Sequence, residues 1–306
     1  MNAKKTLLII VKFVVSAGLL YAIISKTGIE KVLFALKTVN PLLFLAAALS
    51  YIVSVYFSSR RLQLLLPRGF AMRKLFSLYL IGSFFNTILP GLIGGDAVKA
   101  YYLSKDTARA STAVASVFMD RYIGFAAMMF LGMSAYPFGF RYFRGSYIEW
   151  LLPLIAFLFV AGSFLILGLR IGSRFTFLSE FYDYFHLYKG RSDAVAKTFF
   201  LSLLVQVVGI CAAYILSLGL KLEVPFLAFF IFIPIIITLA TLPVSISGLG
   251  VREASFVLLF GFIGVSPAQA TALSFSWFLS TVLGSLPGLI EYLRYKKSFG
   301  TPVKSR

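Results

Sequence analysis

One histidine, His186, and one cysteine, Cys211, are all that this chain of 306 residues offers to nucleophilic or metal chemistry. A Ser-His-Asp triad has a single possible base, Cys/His zinc sites have too few ligands, and a lone cysteine inside an apolar run closes no internal disulfide. Charge is scarce and one-sided: 13% of residues are charged, with 29 Lys and Arg against 11 Asp and Glu, for a formal net charge of +18. Polar sequence falls short of what a soluble catalytic domain needs, because 59% of residues are hydrophobic and the mean hydropathy is +0.91. The glycine-rich stretch from Gly91 to Lys99 lacks the Gly-x4-Gly-Lys-[Ser/Thr] spacing of a nucleotide-phosphate loop, so ATP is discounted and no cofactor is expected. The run from Thr6 to Ser25 follows Lys4 and Lys5 like a signal sequence but has no small-residue cleavage site, which makes it an uncleaved first crossing.

What is present is apolar sequence in runs of about 20 residues, the length that spans a bilayer as helix. The expected fold class is an all-α integral membrane protein, one polytopic domain over 1–306. The cations sit at the ends of the apolar runs and form no single patch or stripe, so nucleic acid is rejected as a partner and anionic lipid headgroups are favoured. Crossings are expected from Thr6 to Ser25, from Pro41 to near Arg60-Arg61, from Ser111 to Tyr136, from Ile148 to Leu169, from Thr198 to Leu220, and from Ala268 to Leu293 with a bend at Pro287-Gly288. Between them, Leu75 to Ser104 and Phe226 to Phe262 read as re-entrant helical hairpins, making about six crossings and two hairpins. Gly28 to Val39 reads as an amphipathic interfacial helix, as does Arg170 to Lys197, where aromatic residues crowd among charges and His186 is a surface residue. With both termini cytoplasmic, the outer side holds only Lys26, Lys31, Lys37, Arg141, Arg144 and Lys221, and most other cations fall inside, as the positive-inside rule requires.

Two stretches break the apolar pattern in the same way. Leu89-Pro90-Gly91-Leu92-Ile93-Gly94-Gly95-Asp96-Ala97-Val98-Lys99 finds its counterpart half a chain length later in Leu242-Pro243-Val244-Ser245-Ile246-Ser247-Gly248-Leu249-Gly250-Val251-Arg252-Glu253. Proline removes an amide donor and glycine gives up backbone order, and inside a bilayer such breaks survive only where protein or a water-filled cavity satisfies them. Matching interruptions in two halves point to the binding site of an inverted-repeat transporter. The halves are expected at about 1–145 and 148–306, each with three crossings, so that the second inserts upside down.

Each break is followed by a short helix that begins within the membrane, with Asp96 as N-cap of one and Ser247 or Gly248 starting the other. Lys99 and Arg252 then lie close to helix N-termini, where amide donors and a partial positive charge favour anions. Two such ends facing each other would hold a phosphate. The competing reading pairs Lys99 with Asp96 and Arg252 with Glu253 or Asp120, and leaves the glycines to permit close packing. Asp120 and Arg121 are neighbours on different helix faces, so each needs a partner elsewhere: Arg121 with Asp96 or a lipid phosphate, Asp120 with Arg252 or Lys99. The candidate substrate-binding set is Pro90, Gly94, Gly95, Asp96, Lys99, Asp120, Arg121, Pro243, Gly248, Gly250, Arg252 and Glu253. Gln206 is expected to bond between helices, and Glu291 to cap the basic tail.

At these motifs the sequence resembles the lysylphosphatidylglycerol synthase transmembrane family, also called flippase-like domain proteins. The resemblance rests on Leu89-Pro90-Gly91 with Gly94-Gly95-Asp96 and Lys99, on Asp120-Arg121 with Gly124, on Leu242-Pro243 with Gly248 through Glu253, and on Gly264-Val265-Ser266-Pro267. It departs from the usual pattern at Val244-Ser245-Ile246-Ser247, where relatives often carry more glycine. The resemblance implies a multi-pass protein of a bacterial or archaeal cytoplasmic membrane that moves, or helps to move, a polar lipid. The full-length synthases add a soluble aminoacyl-transferase domain, which is not expected here. The expected function is a lipid flippase or flippase-like transporter for a phospholipid or polyprenyl-phosphate-linked glycan. The alternative is a non-transporting accessory protein for a lipid-modifying enzyme or glycosyltransferase. An enzyme is not expected, and the oligomeric state is left open.

Overall fold

The computed structural model describes residues 3–66, 69–88, 94–107, 110–146, 148–168 and 192–299. Among these the regular structure is helical throughout: α1 (Ala3–Thr27), α2 (Ile29–Lys37), α3 (Pro41–Leu65), α4 (Met72–Ile88), α5 (Gly94–Ser104), α6 (Ala110–Gly139), α7 (Leu151–Ser163), α8 (Ser192–Gly219), α9 (Phe226–Thr241), α10 (Val251–Gly261), α11 (Pro267–Ser285) and α12 (Pro287–Phe299). Four stretches among the described residues are long and apolar enough to cross a membrane, namely Pro41–Leu65, Ala110–Tyr142, Asp193–Gly219 and Pro267–Tyr295. The chain is therefore a multi-pass membrane protein. Exposed Phe118, Phe130, Phe157 and Phe200 stud the outer faces of these and the shorter α7, as lipid contact requires.

The helix boundaries follow local chemistry. Asn40 caps α3, its Oδ1 accepting from the backbone N–H of Leu42 (2.9 Å) and Leu43 (3.3 Å), with Pro41 in the first turn where no amide partner is lost. Ser266 and Pro267 repeat the device at α11, where Gln269 returns a bond to Ser266. The sixth expected crossing is interrupted between Ser285 and Pro287, because proline has no N–H to give the preceding turn. The fourth begins later than expected: Ile148 is buried in a turn before Leu151, and the helix widens to a π turn over Phe164–Gly168. On α2, Val32 and Ala35 face inward while Ile29, Leu33 and Phe34 are exposed, the two-sided pattern of a helix lying along an interface. Pro90 and the rest of 89–93, with His186 and 169–191, lie outside the described residues.

Helix packing pairs off across the molecule. The most extensive helix contact among the described residues is α3 on α8; α3 also packs on α11 and α8 on α6. Helix α4 folds back on α5 and packs on α12; α9 folds back on α10 and packs on α6. Helix α5 lies on α6, as α10 lies on α11. The two hairpins are cored differently. Around α9 and α10, Phe229, Phe232, Phe256 and Phe260 interlock, with Phe256 and Phe260 stacked at 5.3 Å between centroids. Around α4 and α5 the buried centre is mainly aliphatic, built on Leu62, Leu75, Leu78, Ile81 and Leu103 with Tyr79, and it adjoins buried ions.

Candidate functional site

Helices α4 and α5 meet backbone to backbone. A Cβ on Gly82 would lie 2.6 Å from Cγ of Lys99 and 2.9 Å from the carbonyl oxygen of Gly95, and one on Gly95 would lie 2.7 Å from Cγ of Asn86. Small residues permit this approach, which in lipid replaces the hydrophobic drive that water would supply. The backbone N–H of Gly95 is satisfied by Oδ1 of Asn86 at 2.8 Å. Helix α5 starts at Gly94, so Asp96 lies inside its first turn and does not serve as N-cap. A side chain from the neighbouring helix has taken the capping bond, and the carboxylate has found stronger partners.

Those partners form a chain of buried charge. Asp96 pairs through Oδ1 with Nζ of Lys99 at 2.8 Å and through Oδ2 with Nε of Arg121. The Lys99 ammonium also sits 3.8 Å from the centroid of the Tyr79 ring. The Tyr79 hydroxyl donates to Oδ2 of Asp120, whose Oδ1 accepts from Nε of Arg61 at 2.6 Å. Arg61 further donates to Ser202 of α8 at 3.0 Å, tying the first half of the chain to the second. Asp120 is 1% exposed and Arg61 5%, whereas the Arg121 side chain is 44% exposed. Asp120 thus pairs with Arg61 and with neither Arg252 nor Lys99, and Arg61, near the end of α3, is turned into the protein instead of out to its surface. Gly124 explains the fit: a Cβ there would lie 2.9 Å from Nη1 of Arg61. Gln206 bonds between helices as expected, donating to the Gly124 carbonyl at 2.9 Å. Glu291 pairs with Arg294 at 2.9 Å.

The second hairpin turns through residues 242–250. Ser247, Gly248 and Gly250 have φ of +52°, +77° and +83°, so the helix begins only at Val251, with Gly250 as its N-cap rather than Ser247 or Gly248. Oε2 of Glu253 accepts from the Gly250 N–H at 2.7 Å, and its Oε1 accepts from Nη2 of Arg252 at 2.6 Å and from Ser274 at 3.0 Å. The Arg252 guanidinium lies 4.7 Å from the Phe278 ring centroid. These bonds use Nε and Nη2, and the Nη1 donors have no partner among the described residues. Ser16 of α1 accepts from the Ile246 N–H at 2.9 Å, and a Cβ on Gly250 would lie 2.8 Å from Cβ of Leu19, so α1 seats on this turn. Pro243 is at its exposed tip, between exposed Leu242 and Val244.

A cavity of about 380 Å³ opens where the ends of the two hairpins approach α3, α8 and α11. Asn86 and Thr87 line it from the first hairpin, Thr241, Ser247 and Arg252 from the second. Arg252 is the one charged residue among those lining it; Lys99, Arg121, Asp96 and Asp120 are not among them. The candidate residues therefore divide. One set forms an internally paired network behind α4, which touches the cavity through Asn86. The other presents a single guanidinium to the cavity, backed by a buried carboxylate. Sequence reading missed Asn86, Tyr79 and Arg61, none of which falls in a glycine-proline motif. Arg61 did carry a signal: Ser58 and Leu65 stand three before and four after it, on the buried face of α3.

The profile of the lysylphosphatidylglycerol synthase TM region matches residues 9–288. The chain is also similar to UPF0104 membrane protein MJ1595 of Methanocaldococcus jannaschii, at 26% identity covering 94% of this chain and 95% of that protein. Matched along most of its length, the chain belongs to the family of the lysylphosphatidylglycerol synthase TM region.

Proposed function

We propose that the protein is a flippase-like lipid transporter whose intramembrane cavity receives an anionic headgroup at Arg252. The observation that carries this is the lining: one guanidinium, with unengaged Nη1 donors, in an otherwise neutral cavity shared by both hairpins. A phosphate leaving water needs charged hydrogen-bond donors to replace its hydration, and a guanidinium held in place by Glu253 and Ser274 supplies them. The lipid tails would stay in the bilayer beside the exposed apolar tip at Leu242 and Val244. The paired packing of α3 with α8, of α4 and α9 with their partners, and of α5 and α10 with theirs supports two halves, near 1–145 and 148–306, related by inversion across the membrane. The distribution of Lys and Arg supports a cytoplasmic membrane with both termini inside. On this reading the chain is not an enzyme and needs no cofactor.

Internal ion pairing of Asp96 and Asp120 supports a second reading, in which the protein holds a lipid statically for a lipid-modifying enzyme or glycosyltransferase. Reconstitution into vesicles with headgroup-labelled fluorescent lipids separates them. Transbilayer movement should fall about tenfold or more in the paired substitution Arg252→Gln/Glu253→Gln, which removes the guanidinium without stranding a buried carboxylate. Movement of no lipid class, together with stoichiometric co-purification of a partner enzyme, would establish the accessory role.

A further inference from the structure

Apart from Arg252, the polar groups lining the cavity are neutral, and several face it as acceptors. Thr87 donates its hydroxyl hydrogen to Phe84 O (2.7 Å), Thr241 to Thr238 O (2.7 Å), and Ser280 and Thr281 to Trp277 O (2.8 and 2.9 Å). Each hydroxyl has spent its hydrogen within its own helix, so the oxygen is left to accept. Gln206 has likewise committed its Nε2 to Gly124 O, which leaves its carbonyl as the acceptor end. Set in a largely apolar lining, these oxygens suit O–H donors, and the Asn86 amide, whose Oδ1 is taken by the Gly95 N–H, adds N–H donors for a hydroxyl oxygen. The cavity does not suit a cation: no carboxylate is among the described residues lining it, and Glu253, 0% exposed, is closed off behind Arg252, Ser274 and the Gly250 N–H. An ammonium there would lose its hydration to neutral dipoles beside a guanidinium of like sign. Nor do the described lining residues form an open aromatic cage: the Arg252 guanidinium covers Phe278, Trp277 packs on Phe256 at 5.8 Å, and Tyr51 is the one ring left. A volume of about 380 Å³ is near the small end of ligand pockets and suits one ring or a short polyol beside a phosphate, not an oligosaccharide.

Taking the cavity as the headgroup site, we infer that it selects a phosphodiester bearing a small neutral polyol, whether glycerol, inositol or a single sugar ring, and rejects headgroups bearing an amine, aminoacylated ones included. The phosphate meets Arg252, and the polyol hydroxyls donate to the threonine and serine oxygens of α4, α9 and α11.

The chain has two tryptophans, and Trp150 is 70% exposed at the start of α7, away from the cavity. In the Trp150→Phe protein, Trp277 becomes the sole indole reporter. Its emission is titrated in detergent micelles with phosphatidylinositol, phosphatidylglycerol, a monohexosyl polyprenyl phosphate, phosphatidylcholine, lysyl-phosphatidylglycerol and phosphatidic acid. The polyol lipids should bind about tenfold or more tighter than the two cationic-headgroup lipids, and their order identifies which polyol is the natural one. Adding Ser280→Ala and Thr281→Val should cut polyol binding about tenfold while leaving phosphatidic acid unchanged, which also reports that the variant is folded. Equal or tighter binding of lysyl-phosphatidylglycerol or phosphatidylcholine overturns the inference, as does a polyol preference untouched by that variant or an emission that no lipid alters. Polyol-selective binding without movement in vesicles would defeat the transporter reading alone. Movement favouring an amine headgroup would defeat the selectivity alone.

Discussion

Replacing Arg61 by Met tests whether the buried ion chain holds α3, α4 and α6 together. Asp120, 1% exposed, would be left with only the Tyr79 hydroxyl as donor among the described residues, and Ser202 would lose the bond that links α8 to the network. Stranding one partner of a buried pair costs about 3–5 kcal/mol, most of it the desolvation of the charge left behind. Removing both charges is different. Arg61→Met with Asp120→Leu and Tyr79→Phe leaves no orphaned group, and replacement of a buried pair by apolar side chains of similar volume is often close to neutral. The measurement is reversible unfolding in mixed micelles against the mole fraction of dodecyl sulfate, run on the single, double and triple variants. A deficit of about 3 kcal/mol or more for Arg61→Met, largely recovered in the triple variant, is expected. The reasoning fails if Arg61→Met costs under about 1 kcal/mol, or if the multiple variant costs the sum of its parts, since groups in direct contact should not add.

Gly124→Ala should destabilise by about 1–3 kcal/mol in the same assay, because its methyl would stand 2.9 Å from Nη1 of Arg61; combining it with Arg61→Met should add little. Gly95→Ala should be worse, since the new Cβ meets backbone of Gly82, and loss of the monodisperse peak on size-exclusion chromatography would report it. At Gly250, φ of +83° and the contact with Leu19 both oppose a side chain, so Ala there should lower the thermal midpoint measurably, whereas Ser16→Ala should cost only the about 1 kcal/mol of one hydrogen bond. Glu253→Ala should cost more than the double variant Arg252→Gln/Glu253→Gln, because it leaves both the guanidinium and the Gly250 N–H without their shared acceptor.

Much of this architecture could be read from residue order. Proline and glycine set inside apolar runs located both hairpins, Pro41 marked where a long helix begins, and the amphipathic pattern of Gly28 to Val39 identified α2. The coupling of Arg121 to Asp96 was among the expected partners, as was that of Arg252 to Glu253. The misassigned groups were those whose partners come from distant sequence. Arg61 stands beside Arg60 in what reads as a basic cap, yet Arg60 bonds to Gln63 at the surface while Arg61 turns inward to Asp120, because neighbours on a helix point about 100° apart. The N-caps were displaced for a related reason. Asn86 from α4 took the role expected of Asp96, and positive φ at three of the four residues from Ser247 to Gly250 delayed α10 to Val251. The cavity itself was invisible, because its walls come from helices far apart in the chain and are made of ordinary threonines, serines and amides.

Glycine serves the two hairpins in opposite ways. In the second, Gly248 and Gly250 are needed for handedness, which fixes one turn in one shape. In the first, Gly82 and Gly95 are needed for smoothness, as is Gly288 on α12, where a Cβ would come within 2.9 Å of Phe84. Helix α4 thus meets bare peptide on two flanks, and side chains lock the seams beside it: Phe85 meets Tyr292 edge to face at 5.1 Å, and the Lys99 ammonium sits over Tyr79. A rod held in that manner resists both lifting and sliding, because close peptide contact opposes the one and interlocked rings the other. Asn86 and Thr87 at its tip are therefore kept in one register beside the cavity.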